Sequence, residues 1–118
     1  MPADATLVLE IRTYRIKAGM RDAFRRLVAD ESIPLVRAHG MRVVQFGPSL
    51  HDADSYVLMR AFASLEQRTE QEESFYGSDL WLQNYDARVM AMIDSYLTIV
   101  IPVSEATIAS FAAQAHLW

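Results

Sequence analysis

The sequence predicts an α+β fold, one antiparallel sheet with helices on a single face, from three observations. Four stretches, 7–16, 41–47, 55–63 and 95–103, alternate or run apolar at strand length. Between the first and second, and again between the third and fourth, the apolar period changes to that of a helix. Glycine, proline, serine and aspartate gather where one pattern gives way to the next.

Residues 7–16 set Leu7, Leu9 and Ile11 on one parity and Glu10, Arg12 and Tyr14 on the other, and side chains of a strand alternate between faces. Lys17-Ala18-Gly19 is a turn. Met20, Ala23, Phe24, Leu27, Val28, Leu35 and Ala38 then fall at helical spacing to about His39, where Gly40 provides a left-handed stop. Pro34 inside this helix removes a hydrogen bond to the Asp30 carbonyl and predicts a kink. Residues 41–47 form a second strand, and a loop with proline, serine, histidine and two aspartates leads to a third at 55–63. Here Val57, Met59 and Ala61 oppose Tyr56, Leu58, Arg60 and Phe62. Ser64, with Gln67 as its capping-box partner, starts an acidic helix through residues 66–74. Gly77-Ser78 interrupts it, and a further helix begins near Asp79 with Leu82, Tyr85, Val89 and Met92 or Ile93 on one stripe. Residues 95–103 are the fourth strand, and the Ala-rich tail is mildly amphipathic.

The order β-α-β-β-α-β is the split βαβ, ferredoxin-like plan. One domain over residues 1–103 and a C-terminal tail over 104–118, possible as a short helix, account for the chain. In this plan the first and third strands are central neighbours. The apolar parity is expected beneath the helices, and the mixed parity on the open face, where a second copy of the sheet is the simplest cover by twofold symmetry.

Composition narrows the function. The 118 residues are 52% hydrophobic and 22% charged, as a packed core requires, and the net charge of −4 lacks the basic footprint of a nucleic-acid binder. The absence of cysteine excludes disulfides, thiolate metal sites and a cysteine nucleophile. No basic flank marks a secretory leader at the N-terminus, and no apolar run approaches the roughly 20 residues that span a bilayer. The expectation is a cytoplasmic protein that contacts neither membrane nor nucleic acid.

Several motifs together resemble the NIPSNAP family. They are Leu9-Glu10-Ile11-Arg12-Thr13-Tyr14 with the Lys17–Gly19 turn, Pro34-Leu35-Val36-Arg37-Ala38-His39-Gly40, Ala61-Phe62-Ala63-Ser64-Leu65-Glu66-Gln67-Arg68, and Trp81 after the Ser78-Asp79 break. The resemblance covers about residues 7–103; Ala18 departs from it where the family often has proline. It implies a dimeric α/β barrel in which two ferredoxin-like sheets pack together. The wider superfamily includes cofactor-free monooxygenases, haem-degrading enzymes and dehydratases, so the family does not fix a chemistry.

Candidate residues fall in three groups. Glu10, Arg12, Tyr14, Tyr56 and Arg60 form a polar cluster, read either as an anion or phenol site or as paired charges within the dimer interface; the interface reading is adopted. Glu31 on the helix stripe and His39 at the helix end are the candidate proton carriers, against the plainer readings of a stripe-edge carboxylate and a dipole-favoured imidazole. Trp81, Tyr85, Phe24 and Met92 are the candidate walls of an apolar pocket between helices and sheet, against simple core packing. His51 and His116 share no ligand spacing, and no metal or cofactor is expected. The resulting expectation is a homodimer that binds a small apolar organic molecule without metal, its transformation by Glu31 or His39 being the further step the candidates allow. The alternative is a non-catalytic interaction or scaffold module that docks a protein partner through its acidic helix.

Overall fold

In the computed structural model, which describes residues 5–114, the elements follow the predicted order. Strand β1 (Thr6–Ile16) leads into α1 (Arg21–Leu27), a π-turn (Val28–Ser32) and α2 (Ile33–Ala38). Strands β2 (Arg42–Pro48) and β3 (Ser55–Phe62) precede α3 (Leu65–Tyr76), α4 (Asp79–Asn84) and α5 (Asp86–Met92). Strand β4 (Ile93–Ser104) and α6 (Glu105–Ala112) complete the chain. The sheet order is β2-β3-β1-β4, antiparallel throughout.

Local chemistry explains the boundaries. Pro34 cannot donate to the carbonyl four residues back, and the helix absorbs this as a π-turn in which Ile33 N–H reaches Val28 O. After α2, Gly40 takes φ +94°, Gly40 N–H donates to Arg37 O, and Met41 N–H donates to Val36 O, the pattern of a Schellman stop. Ser64 Oγ accepts from Gln67 N–H, while the Gln67 side chain accepts from Ala63 N–H. Ser78 caps α4 by accepting from Trp81 N–H and donates its own hydrogen to Phe75 O.

The two sheet faces are exchanged relative to the expectation. Helices α1 to α5 cover the mixed parity, so Glu10, Tyr56, Leu58, Arg60 and Phe62 are buried beneath them. The cause is pairing. A charged, aromatic face can be buried where helices bring matching charges and rings to it, and α3 brings them. Glu10, Arg12, Tyr14, Tyr56 and Arg60, expected on the open face at a subunit interface, therefore lie instead against helices of their own chain. The apolar parity forms the other face. Helix α6 covers one end of it, where Ile108 packs with Leu7, Leu9, Val44 and Ala61. A register shift in β2 between Val43 and Gln45 accompanies this packing, and Gln45 Nε2 donates to the carbonyls of Phe111 and Gln114. The rest stays open, with Leu97 72%, Ile99 62% and Ile101 38% exposed.

Candidate functional site

Strand register builds the floor of the site. Glu10 lies directly opposite Arg60 on β3, and Tyr14 opposite Tyr56. Arg60 Nε and Nη2 donate to one Glu10 oxygen at 2.8 and 2.6 Å, and neither side chain is exposed. Helix α3 crosses above with Arg68, Glu72 and Tyr76 at successive spacings of four, one stripe of the helix. Arg68 Nε donates to the second Glu10 oxygen at 2.7 Å and lies 3.2 Å from Glu72. Arg12 Nη2 donates to Glu72 at 3.2 Å, and Arg60 Nη1 donates to the Tyr76 hydroxyl at 2.8 Å.

Three guanidiniums thus surround two carboxylates, and the carboxylates divide one proton unequally. Burial pushes Glu10 up, but the hydrogen bond with Glu72 and the charges of Arg60 and Arg12 overcome this and hold it at about 2. Burial raises Glu72, and its hydrogen bond to Glu10 and Glu10's negative charge raise it further, to about 7. Glu10 is the fixed anion; Glu72 is the group that exchanges its proton near neutrality.

Beside this cluster lies a cavity of about 300 Å³ between the helices and the sheet. Arg12 and Glu72 line it together with Tyr14, Tyr76, Phe24 and Trp81. Val28 and Ser32, the first and last residues of the π-turn, also face it, so the irregularity at Pro34 shapes one wall. The aromatic wall is continuous: Phe75 and Trp81 centroids are 5.1 Å apart, and Tyr85 stacks on Trp81 at 5.4 Å and 20°. Burial pushes the Tyr14 phenol above its ordinary range, so it remains a neutral hydrogen-bonding group.

The sequence-predicted residues divide. Phe24 and Trp81 line the cavity. Tyr85 supports Trp81 from behind, and Met92 packs on the core while Met90 takes the lining position. Glu31 does not reach the sheet: it pairs with Arg88 at 3.2 Å near the surface and accepts from the Tyr85 hydroxyl at 3.4 Å. The π-turn explains this displacement, because an added residue per turn rotates Glu31 off the stripe that uniform helical spacing assigns it. His39 is exposed, 3.1 Å from Ser74 Oγ and edge-on to Phe75, and does not line the cavity. Neither candidate proton carrier lines the cavity: His39 stands at the end of α2, and Glu31 reaches an arginine at the stripe's edge, as their plainer readings have it. The missed residues are Glu72 and Arg68. Their signal was present as a stride of four in a segment otherwise read as a solvated acidic face. Among the described residues, no group of three or more His, Asp or Glu is placed to hold a metal ion.

A four-stranded antiparallel sheet with one helical layer and a cavity between them defines a ferredoxin-like α+β domain. Among these domains the chain belongs to the NIPSNAP family, whose model matches residues 9–105. Solved structures agree. A NIPSNAP domain protein from Burkholderia xenovorans aligns with TM-score 0.71 at 22% identity, covering 80% of this chain and 91% of that one. A NIPSNAP family protein of unknown function from Agrobacterium tumefaciens gives 0.75 at 26%, covering 83% and 88%. A putative antibiotic biosynthesis monooxygenase from Nitrosomonas europaea shares the fold, with TM-score 0.61 at 14% identity over 80% and 95%. No curated protein matches the chain. Among the described residues, no helix is long and apolar enough to cross a membrane.

Proposed function

We propose that this NIPSNAP-family protein is a homodimer that binds a small, mainly aromatic organic molecule in the cavity between helices and sheet, with the molecule's polar end against Arg12 and Glu72. The observation that carries the reading is the composition of the cavity: aromatic walls over a floor of paired charges, the few convergent polar groups typical of a ligand site. An engineered apolar cavity of about 150 Å³ holds benzene. The 300 Å³ here suits about two fused rings. With Glu72 ionised, Arg12, Arg60 and Arg68 leave the cluster one positive charge in excess over Glu10 and Glu72, which Asp86 on the cavity lining offsets, so the donors of Arg12 favour a ligand with an electron-rich oxygen.

The dimer is supported by the apolar sheet face. Leu97, Ile99 and Ile101 stand on the same side as Leu7 and Leu9, beyond the reach of α6. A contiguous apolar strip of this kind is self-complementary under twofold symmetry. The cavity opens on the opposite side of the sheet, so assembly leaves it accessible. Titration of planar bicyclic acids and ketones by calorimetry tests the ligand reading. Binding that Val89→Trp abolishes, by filling the cavity, supports it; no binding across the set refutes it.

A further inference from the structure

We infer that Glu72 and Arg12 form a proton-abstraction site for enolisable ring-fused ketones, in which Glu72 removes the hydrogen next to the carbonyl and Arg12 and Tyr76 hold the oxygen that becomes negative. This rests on the cavity reading above and adds a reaction to it. The geometry places a base and an electrophile side by side. The Glu72 carboxylate and Arg12 Nη2 are 3.2 Å apart and both line the cavity. In a ketone the acidic C–H and the carbonyl oxygen are likewise neighbours across one carbon, so one ligand orientation meets both groups.

Tyr76 adds the second donor. Its oxygen accepts from Arg60 at 2.8 Å and more weakly from Arg12 at 3.5 Å, and among the described residues its own hydrogen has no acceptor. Tyr76 lines the cavity, so that hydrogen is free to point at a ligand oxygen. Arg12 itself is held between aromatic rings, 5.7 Å from the Tyr76 centroid and 5.1 Å from that of Tyr96, which fixes its position before a ligand arrives.

The step balances without a co-reactant. The C–H bond breaks and its hydrogen moves to a Glu72 oxygen. The electron pair left behind becomes the C=C bond of the enolate, whose oxygen keeps the negative charge beside Arg12 and Tyr76. Protonating Glu72 raises the cluster's excess charge from one to two positive, which offsets the new anion. Return of a proton from Glu72 regenerates the ketone. The groups facing Glu72 are Glu10 and Arg12 from β1, Arg60 from β3, and Arg68 and Tyr76 from its own helix, and Tyr14, Asp86 of α5 and Tyr96 of β4 line the same cavity. Its proton near neutrality matches the range of a useful general base.

The test follows deuterium uptake at the methylene beside the carbonyl of 2-tetralone in D₂O by proton NMR, with binding measured separately by calorimetry. The wild-type protein is expected to accelerate exchange above buffer, with a rate that rises as Glu72 loses its proton and then levels. Glu72→Gln is expected to lower the protein-dependent rate by about 100-fold or more under conditions where calorimetry shows the variant saturated with 2-tetralone. Glu72→Asp, which keeps the base at a greater reach, should restore part of the rate and the same pH profile. Binding without accelerated exchange, or exchange that survives in a folded Glu72→Gln protein, overturns the proton-abstraction site and leaves the cavity reading intact. No binding of 2-tetralone by the wild type overturns the proton-abstraction site, and no binding of any of the bicyclic acids and ketones overturns the cavity reading as well.

Discussion

Removing either partner of the Glu10–Arg60 pair should not cost the same, although each is wholly buried. Glu10→Gln leaves Arg60 with its nearest remaining carboxylate at 3.5 Å, on Glu72. Three guanidiniums then face one carboxylate, an excess of two positive charges in a poorly hydrated site. An unpaired buried charge costs about 3–5 kcal/mol. Arg60→Met has a different result. Glu10 still accepts from Arg68 at 2.7 Å and lies 3.8 Å from Arg12, so two guanidiniums face two carboxylates and the cluster is neutral. What is lost is the three short hydrogen bonds that Arg60 donates, two to Glu10 and one to the Tyr76 hydroxyl, while Glu10 keeps a charged partner in Arg68 and the methionine fills much of the volume.

A chain of 118 residues is typically stable by about 6–18 kcal/mol, so both variants should fold. At roughly 4 °C per kcal/mol for a domain of this size, Tm should fall by about 12–20 °C for Glu10→Gln and by less for Arg60→Met, whose cluster stays neutral. Thermal unfolding at pH 7, followed by circular dichroism, measures both. An Arg60→Met variant that melts at or below Glu10→Gln would refute the charge-count reasoning, and with it the positive excess assigned to the cluster.

The proton shared by Glu10 and Glu72 should give stability a maximum on the acidic side. Glu10 is depressed when folded, so its contribution is present above about 4.5 and is lost as pH falls toward 2; Glu72 is raised, so its contribution is present below about 4.5 and is lost as pH rises through 7. Tm should therefore decline between pH 5 and 8, and Glu72→Gln should flatten that decline; an unchanged slope in the variant would point to another group. Ser64→Ala removes the cap of α3 and should cost about 1 kcal/mol in urea unfolding, with an unchanged m-value. Gly40→Ala meets nothing within 4 Å, so its cost, also about 1 kcal/mol, should come from the φ of +94° alone, and a neutral result would contradict the left-handed stop. If the wild type sediments as the proposed dimer, Ile99→Arg should make it a monomer while retaining the circular dichroism spectrum; a dimer that persists shows the wrong face was assigned.

The fold was legible because each element carries its own signal. Alternation marks β1 and β3, Gly40 and Ser64 mark helix ends, and Ser78 marks the break before α4. Which face of the sheet the helices cover was not legible from the strands. Apolar alternation identifies an inner face only when the other parity is solvated, and here both parities are covered or coverable. The deciding information lies in α3, whose Arg68, Glu72 and Tyr76 match Glu10, Arg12 and Arg60 across the layers. Within α3 alone they read as surface residues. Glu31 failed for a different reason: a π-turn shifts register by one residue, and periodicity cannot place a shift whose only cause in sequence is Pro34.

Exchanging the faces reverses the division of labour between them. A charged cluster at a subunit interface would have to be rebuilt at every assembly step. Placed instead under α3, it is fixed within one chain, and its inner pair, Glu10 and Arg60, is saturated by mutual contacts. That saturation frees the outer pair. Arg12 and Glu72 lean on the inner pair for position, yet present their remaining valences to the cavity. The apolar strip on β4 then needs no charges to specify it, because strand register already aligns Leu97, Ile99 and Ile101 with Thr13, Ile11 and Leu9. The proposed assembly and ligand chemistry therefore use opposite faces of one sheet, and variants on either face should leave the other's readout intact.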